Sequence, residues 1–214
     1  MLGLRRTELT FWGSMSEYEQ LIRQINECKL CALSQKRNLA VPGEGSLNAD
    51  IVFIGEGPGF YEDQQGRPFV GAAGQLLENL LESIGFNRED VYITNMVKCR
   101  PPNNRDPLPG EIDECRPYLD RQLEIINPKV IVTLGRYSFA KFFPGIPISK
   151  GRGIPQKWNN LLIYPVYHPA AALRNGKFRS VLERDFQGLP RILEGKFQDA
   201  NQAENDNPRQ IKLF

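Results

Sequence analysis

The residues able to do chemistry in this chain fall in a few short stretches. Its four cysteines are Cys28, Cys31, Cys99 and Cys115. The first two form a C-x-x-C pair, and the other two lie well downstream. Four thiolates with one close pair can hold zinc or an iron–sulfur cluster. Spacing alone leaves both open, together with the plain alternative of buried cysteines beside a chance pair. A disulfide framework is not expected in a large cytoplasmic α/β domain. A second stretch runs Gly55-Glu56-Gly57-Pro58-Gly59, then Glu62-Asp63, then Gly66-Arg67-Pro68-Phe69-Val70-Gly71. Its glycines let a backbone approach a flat or charged ligand closely. The spacing is neither a dinucleotide fingerprint nor a phosphate-cradling Gly-Lys-Ser/Thr loop. Glu56 is a candidate acid or base, or a solvated loop carboxylate. Phe69 is a candidate stacking surface, or ordinary core. In a third stretch, Thr94-Asn95-Met96-Val97-Lys98-Cys99-Arg100, the Asn95 carboxamide offers a donor and an acceptor to one ligand edge, or caps a turn. The last stretch, Tyr167-His168-Pro169-Ala170, holds the single histidine of the chain. Catalysis by paired imidazoles and two-histidine zinc sites are thereby excluded.

The elements that must position these residues follow from periodicity. Ser16 and Glu19 form a capping box ahead of a helix over 16–27, with Tyr18, Leu21, Ile22 and Ile25 at helical spacing. Short apolar runs at 51–54, 91–94, 130–134 and 161–166 suit strands buried on both faces. Between and after them, helices are expected at 76–84, 110–126 (with Pro117 inside), 136–143 and 170–194. Gly85 is a plausible helix end. Strand and helix alternate, which predicts an α/β fold: a three-layer α/β/α sandwich around a central four-stranded parallel sheet. In such a sheet ligands sit beyond the carboxyl ends of the strands. That edge is where Glu56, Asn95 and His168 fall.

The 214 residues carry 27 Lys and Arg against 25 Asp and Glu, a net charge of +2, so any nucleic-acid contact must rest on local patches. With 41% hydrophobic residues the chain can bury a real core. No apolar run reaches the ~20 residues of a membrane helix, and the N-terminus lacks a secretory pattern. A cytoplasmic protein is expected. A single domain is expected over 1–195, followed by a mobile polar tail over 196–214. The tail ends Gln210-Ile211-Lys212-Leu213-Phe214, which resembles peptides that dock on DNA sliding clamps.

Taken together, GEGPG, EDxxGRPFVG, TNxVKCRPPxNR and HPAA, in this order and with C-x-x-C upstream, resemble the family-4 uracil-DNA glycosylases over roughly residues 17–186. The resemblance implies a [4Fe–4S] cluster on Cys28, Cys31, Cys99 and Cys115. It implies that Phe69 stacks on a flipped uracil, that Asn95 bonds the polar edge of the base, and that His168 faces its O2. The Glu56–Gly57 backbone would line the pocket and Glu62 would sit near C5, where thymine carries its methyl. Other branches have an aspartate in place of Gly57, so the group that activates water is open. The arginine-rich insertion of a covalent branch is absent.

The implied activity is hydrolysis of the N-glycosidic bond of deoxyuridine in DNA, in which the base must leave the stack. His168 would donate to the departing uracil anion and Glu56 would position water. Leu173 would fill the gap left in the stack, or pack in the core. Arg67, Lys98, Arg100, Arg105 and Arg174 are candidate phosphate contacts, or solvated surface. A monomer is expected. A non-catalytic uracil or damage binder and a broader deaminated-base glycosylase are the competing readings.

Overall fold

The computed structural model describes residues 15–196. It opens on helix α1 (Glu17–Glu27), whose capping box forms as expected: Ser16 Oγ accepts from the Glu19 amide and Glu19 Oε2 accepts from the Ser16 amide. There follow β1 (Glu44–Gly45), β2 (Ile51–Gly55), α2 (Phe60–Gln65), α3 (Ala72–Glu82), β3 (Tyr92–Asn95), α4 (Pro109–Ile126), β4 (Val130–Leu134) and α5 (Arg136–Phe142). The described chain closes with α6 (Ile148–Gly151), β5 (Gln156–Trp158), β6 (Leu161–Val166), α7 (Pro169–Arg174) and α8 (Gly176–Leu193).

The sheet has six strands in the order β1-β3-β2-β4-β6-β5, which corrects the expected four. The four expected strands are its centre, all parallel, and β1 and β5 add antiparallel edges. These edges are two and three residues long, too short to carry a periodic signal. The sharp alternation of β2 splits the core. Ile51 and Phe53 point to one face, with Leu77, Leu81, Leu182 and Phe186 of α3 and α8. Val52 and Ile54 point to the other, with Leu119 and Ile126 of α4 and Phe142 of α5. Helices thus cover both faces, which is why the central strands read as unbroken apolar runs.

Two further differences matter for the site. The expected helix over 170–194 is broken at Asn175, whose side chain caps α8 by accepting from the Lys177 amide. The glycine-rich stretch after β2 contains a short helix, α2, that its composition does not announce. The Gln210–Phe214 end and the rest of the expected tail beyond Lys196 lie outside the described residues.

Candidate active site

The carboxyl ends of β2, β3, β4 and β6 open into a cleft of about 570 Å³. Gly55 pairs with Asn95 in the last register position of β2 and β3. The two chains stay joined past the strands, because the Met96 and Val97 amides donate to the Gly55 and Glu56 carbonyls. Glu56, Gly57 and Asn95 are therefore fixed side by side at the cleft floor. His168 arrives from β6, two residues past its end.

Asn95 is 1% exposed, and its Oδ1 has no hydrogen-bond partner among the described residues. A buried unpaired carbonyl oxygen costs about 1–3 kcal/mol. Its neighbour Gly55 must lack a side chain, since a Cβ there would lie 2.3 Å from Asn95 Oδ1 and 2.7 Å from the Phe69 ring. Asn95 and Phe69 thus converge on one point.

Phe69 is buried and holds a left-handed backbone, with φ of 52°. A bulky residue rarely adopts this conformation, which costs about 1–3 kcal/mol and persists where neighbours enforce it. Here Glu62 enforces it: its Oε1 accepts from the Val70 and Gly71 amides, both at 2.9 Å. Arg88 Nη1 donates to the Phe69 carbonyl from the other side. Glu62 lines the cleft, but this oxygen serves the loop.

His168 caps α7, and its Nδ1 accepts from the Ala170 amide at 3.1 Å. An amide can only donate, so Nδ1 carries no proton and Nε2 does in the neutral ring. Burial pushes the imidazole pKa down to about 4, assisted by the charge of Arg174 and opposed by Glu62. The ring stacks near Phe69, with centroids 5.6 Å apart and planes at 26°. His168 is therefore a neutral donor through Nε2.

Glu56 is half-buried, and its pKa is pushed up to about 7, chiefly by burial and then by the charge of Asp106, with Arg136 opposing. Asp106 is itself paired with Arg136. Sequence reasoning missed this pair, which joins the loop ahead of α4 to the first residue of α5 with no motif between them. Gly57 faces Val97: a Cβ there would lie 2.8 Å from Val97 Cγ2, so the floor has no room for a longer side chain without a shift.

The cations expected to meet phosphates divide. The expectation for Lys98 fails: the residue is 1% exposed, and its Nζ donates to Thr94 Oγ1, the Asn95 carbonyl and Gln122 Oε1 at 2.6–2.8 Å. It braces the strand that carries Asn95. Arg67 is held by both oxygens of Glu44 and does not line the cleft. Arg105 lines the cleft but forks onto Glu111. Arg174 lines the cleft, Arg100 bonds Asn104, and Leu173 is exposed on the same helix as Arg174.

All four cysteines line one small pocket beneath Lys98, with Arg37 and Tyr118. Among the described residues no three His, Cys, Asp or Glu side chains converge as a single-ion site. A polynuclear cluster does not require that, because each thiolate binds its own iron. Two N–H groups point at the sulfurs: Arg37 Nη1 donates to Cys99 Sγ at 2.9 Å and the Lys98 amide to Cys115 Sγ at 3.3 Å. Cationic and amide donors beside these thiols fit a negatively charged thiolate-bound cluster.

The comparisons with known proteins agree with this geometry. A family model described as the uracil DNA glycosylase superfamily matches residues 42–187. The type-4 uracil-DNA glycosylase of Sulfurisphaera tokodaii is 50% identical over 185 residues, covering 82% of this chain and 84% of that protein. The type-4 enzyme of Saccharolobus solfataricus is 48% identical, covering 85% of this chain and 89% of its own. The type-5 uracil-DNA glycosylase of Pyrobaculum aerophilum is more distant, at 31% identity over 61% of this chain. On the extent of the match and the cleft it brackets, the chain belongs to the uracil DNA glycosylase superfamily, among its type-4 members.

Proposed function

We propose that this chain hydrolyses the N-glycosidic bond of deoxyuridine in DNA, releasing uracil and leaving an abasic site. The observation that carries the reading is the unpaired Asn95 Oδ1, buried beside the Phe69 ring. A flat base carrying an N–H next to a carbonyl satisfies that oxygen. Uracil offers N3–H and O4 to the two ends of the carboxamide. With the carboxamide in this orientation cytosine would set its N3 acceptor against Asn95 Oδ1, which would stay buried and unpaired. Leaving such a group unpaired is how a polar site rejects the wrong ligand.

The rest of the cleft supports chemistry on that base. The base leaves the stack at a cost of a few kcal/mol, least in single strands and mismatches. Leu173, exposed at the end of α7, takes the vacated space. As the glycosidic bond breaks, negative charge grows on uracil O2. The Nε2–H of His168 meets it there and stabilises the transition state more than the ground state. Glu56, once ionised, orients the water that captures the sugar. Arg174 and Arg100 are the cations left to hold phosphates.

The four cysteines would hold a [4Fe–4S] cluster. That group supplies a covalent tie between the segment after α1 and the segment that follows Asn95. No redox step is assigned to it. Four irons and four labile sulfides per chain support this assignment, and stoichiometric zinc in a colourless protein rejects it.

The test of function is a single-stranded oligonucleotide with one deoxyuridine. Free uracil should appear, and the strand should break only after alkali. An intact, folded protein that binds the oligonucleotide without releasing base would make the cleft a damage-binding site instead.

A further inference from the structure

Helix α2 is turned inside out. Its carboxylates are buried, with Glu62 at 9% and Asp63 at 1% exposure, while Phe60 and Tyr61 stand 50% and 60% exposed. The inward acids are explained, since Glu62 holds the Val70 and Gly71 amides and Asp63 holds the Asn38 amide and side chain. The outward rings are not. Among the described residues they belong to no core cluster, and burying them would be favourable, so an exposed aromatic pair of this kind signals a surface that meets a ligand.

The pair is continuous with the cleft. Gly59, which precedes Phe60, lines it, and so does Asn104. Arg100 joins the two: its Nε donates to Asn104 Oδ1 at 2.7 Å, and its guanidinium lies 5.1 Å from the centre of the Phe60 ring. Phe60 and Tyr61 meet edge to face, with centroids 5.4 Å apart. The solvent side of α2 is thus two rings and the amides of Gln64 and Gln65, with a cation beside it and both its carboxylates turned inward. That surface suits a polyanion with exposed flat bases. A duplex keeps its bases stacked on one another and offers no free face.

We propose that Phe60 and Tyr61, with Arg100, form a stacking platform for an unpaired base next to the flipped nucleotide, which makes single-stranded DNA the preferred partner of this rim. The proposal rests on reading the cleft as a DNA glycosylase site. Aromatic–base stacking is sequence-tolerant, and one stacked base is worth about tenfold in affinity.

The test compares wild type with the double variant Phe60→Ser/Tyr61→Ser. Affinity is measured by fluorescence anisotropy for uracil-free single-stranded and duplex oligonucleotides, and KM and kcat are measured on deoxyuridine in each form. The single-strand Kd and KM should rise about tenfold, with duplex values and kcat within about twofold. Inhibition by free uracil should be unchanged, because the rings do not line the base pocket. The conservative pair Phe60→Tyr/Tyr61→Phe should restore single-strand binding. An unchanged single-strand Kd, an equal loss on both forms, or a parallel loss of free-uracil inhibition overturns the proposal. Failure of the wild type to release uracil would instead overturn the reading of function, and the uracil-free binding comparison would still decide the platform.

Discussion

The protonation state of His168 can be read without a substrate, because it is the only histidine in the 214 residues. Its Nδ1 is committed to the Ala170 amide, so the neutral ring must carry its proton on Nε2. Burial, then the charge of Arg174, hold its pKa down to about 4, against the pull of Glu62. The unfolded chain would titrate near the ordinary value of about 6.5. Between those values the unfolded chain takes up a proton that the folded chain refuses. The stability contribution is therefore complete above about pH 6.5, falls as the pH is lowered toward about 4, and levels off below. At 1.36 kcal/mol per pKa unit the full difference is on the order of 3 kcal/mol, reduced by water entering the open cleft. A long-range proton–nitrogen NMR spectrum should show one imidazole with protonated Nε2, unchanged from pH 8 to about 5 and titrating near 4. His168→Asn should flatten the pH dependence of the urea midpoint over the same window. A proton on Nδ1 would refute the cap geometry and the Nε2 donor, and a midpoint near the ordinary value would refute the argument that burial holds the ring neutral.

Asn95→Asp places a carboxyl at a site that is 1% exposed, and it replaces the donor that uracil O4 needs. Uracil release should fall by about 10²-fold or more, and the preference for uracil over cytosine should shrink, as competition between the two substrates would measure. Glu56 must be ionised to orient water, and its pKa is pushed up to about 7 by burial and Asp106. The rate should therefore rise with pH up to about 7 and then level. Glu56→Gln should be slower by about 10²-fold and flat across that range. Lys98→Met should bind DNA as the wild type does but lose about 2–4 kcal/mol of stability in urea unfolding, since it removes the donor to the buried Asn95 carbonyl and leaves Gln122 Oε1 only the longer bond from Thr94 Oγ1. A stable Lys98→Met protein with weak DNA binding would return Lys98 to the phosphate contacts.

Much of the architecture was legible because its signals are local and redundant. The apolar runs at β2, β3, β4 and β6 admit few readings other than buried parallel strands, and their carboxyl ends locate the cleft. Asn95, Phe69 and His168 line that one cleft, as the strand-end rule and the family motifs together imply. What stayed hidden depends on long-range contacts. The edge strands exist only as hydrogen-bond partners of β3 and β6 and have almost no sequence of their own. Lys98 looks like a loop cation in sequence, but it turns back onto Thr94 and the Asn95 carbonyl, and the third acceptor, Gln122 on α4, comes from a long-range contact. Glu62 resembles a pocket residue, yet its Oε1 is committed to backbone amides that hold Phe69 in a left-handed conformation. The inversion of α2 is likewise invisible to hydrophobic periodicity, because the buried positions are the charged ones.

The most direct test of the central claim is single-turnover uracil release from a deoxyuridine oligonucleotide by wild type, Asn95→Ala and His168→Ala, with DNA binding measured on the same samples. Single turnover isolates bond breaking from product release. The wild type should release uracil. Each variant should still bind DNA and release uracil about 10²-fold more slowly or worse, because one removes the reader of the base and the other the donor to its leaving charge. Release at the wild-type rate by either variant would contradict the assignment of this cleft as the site where the bond is broken.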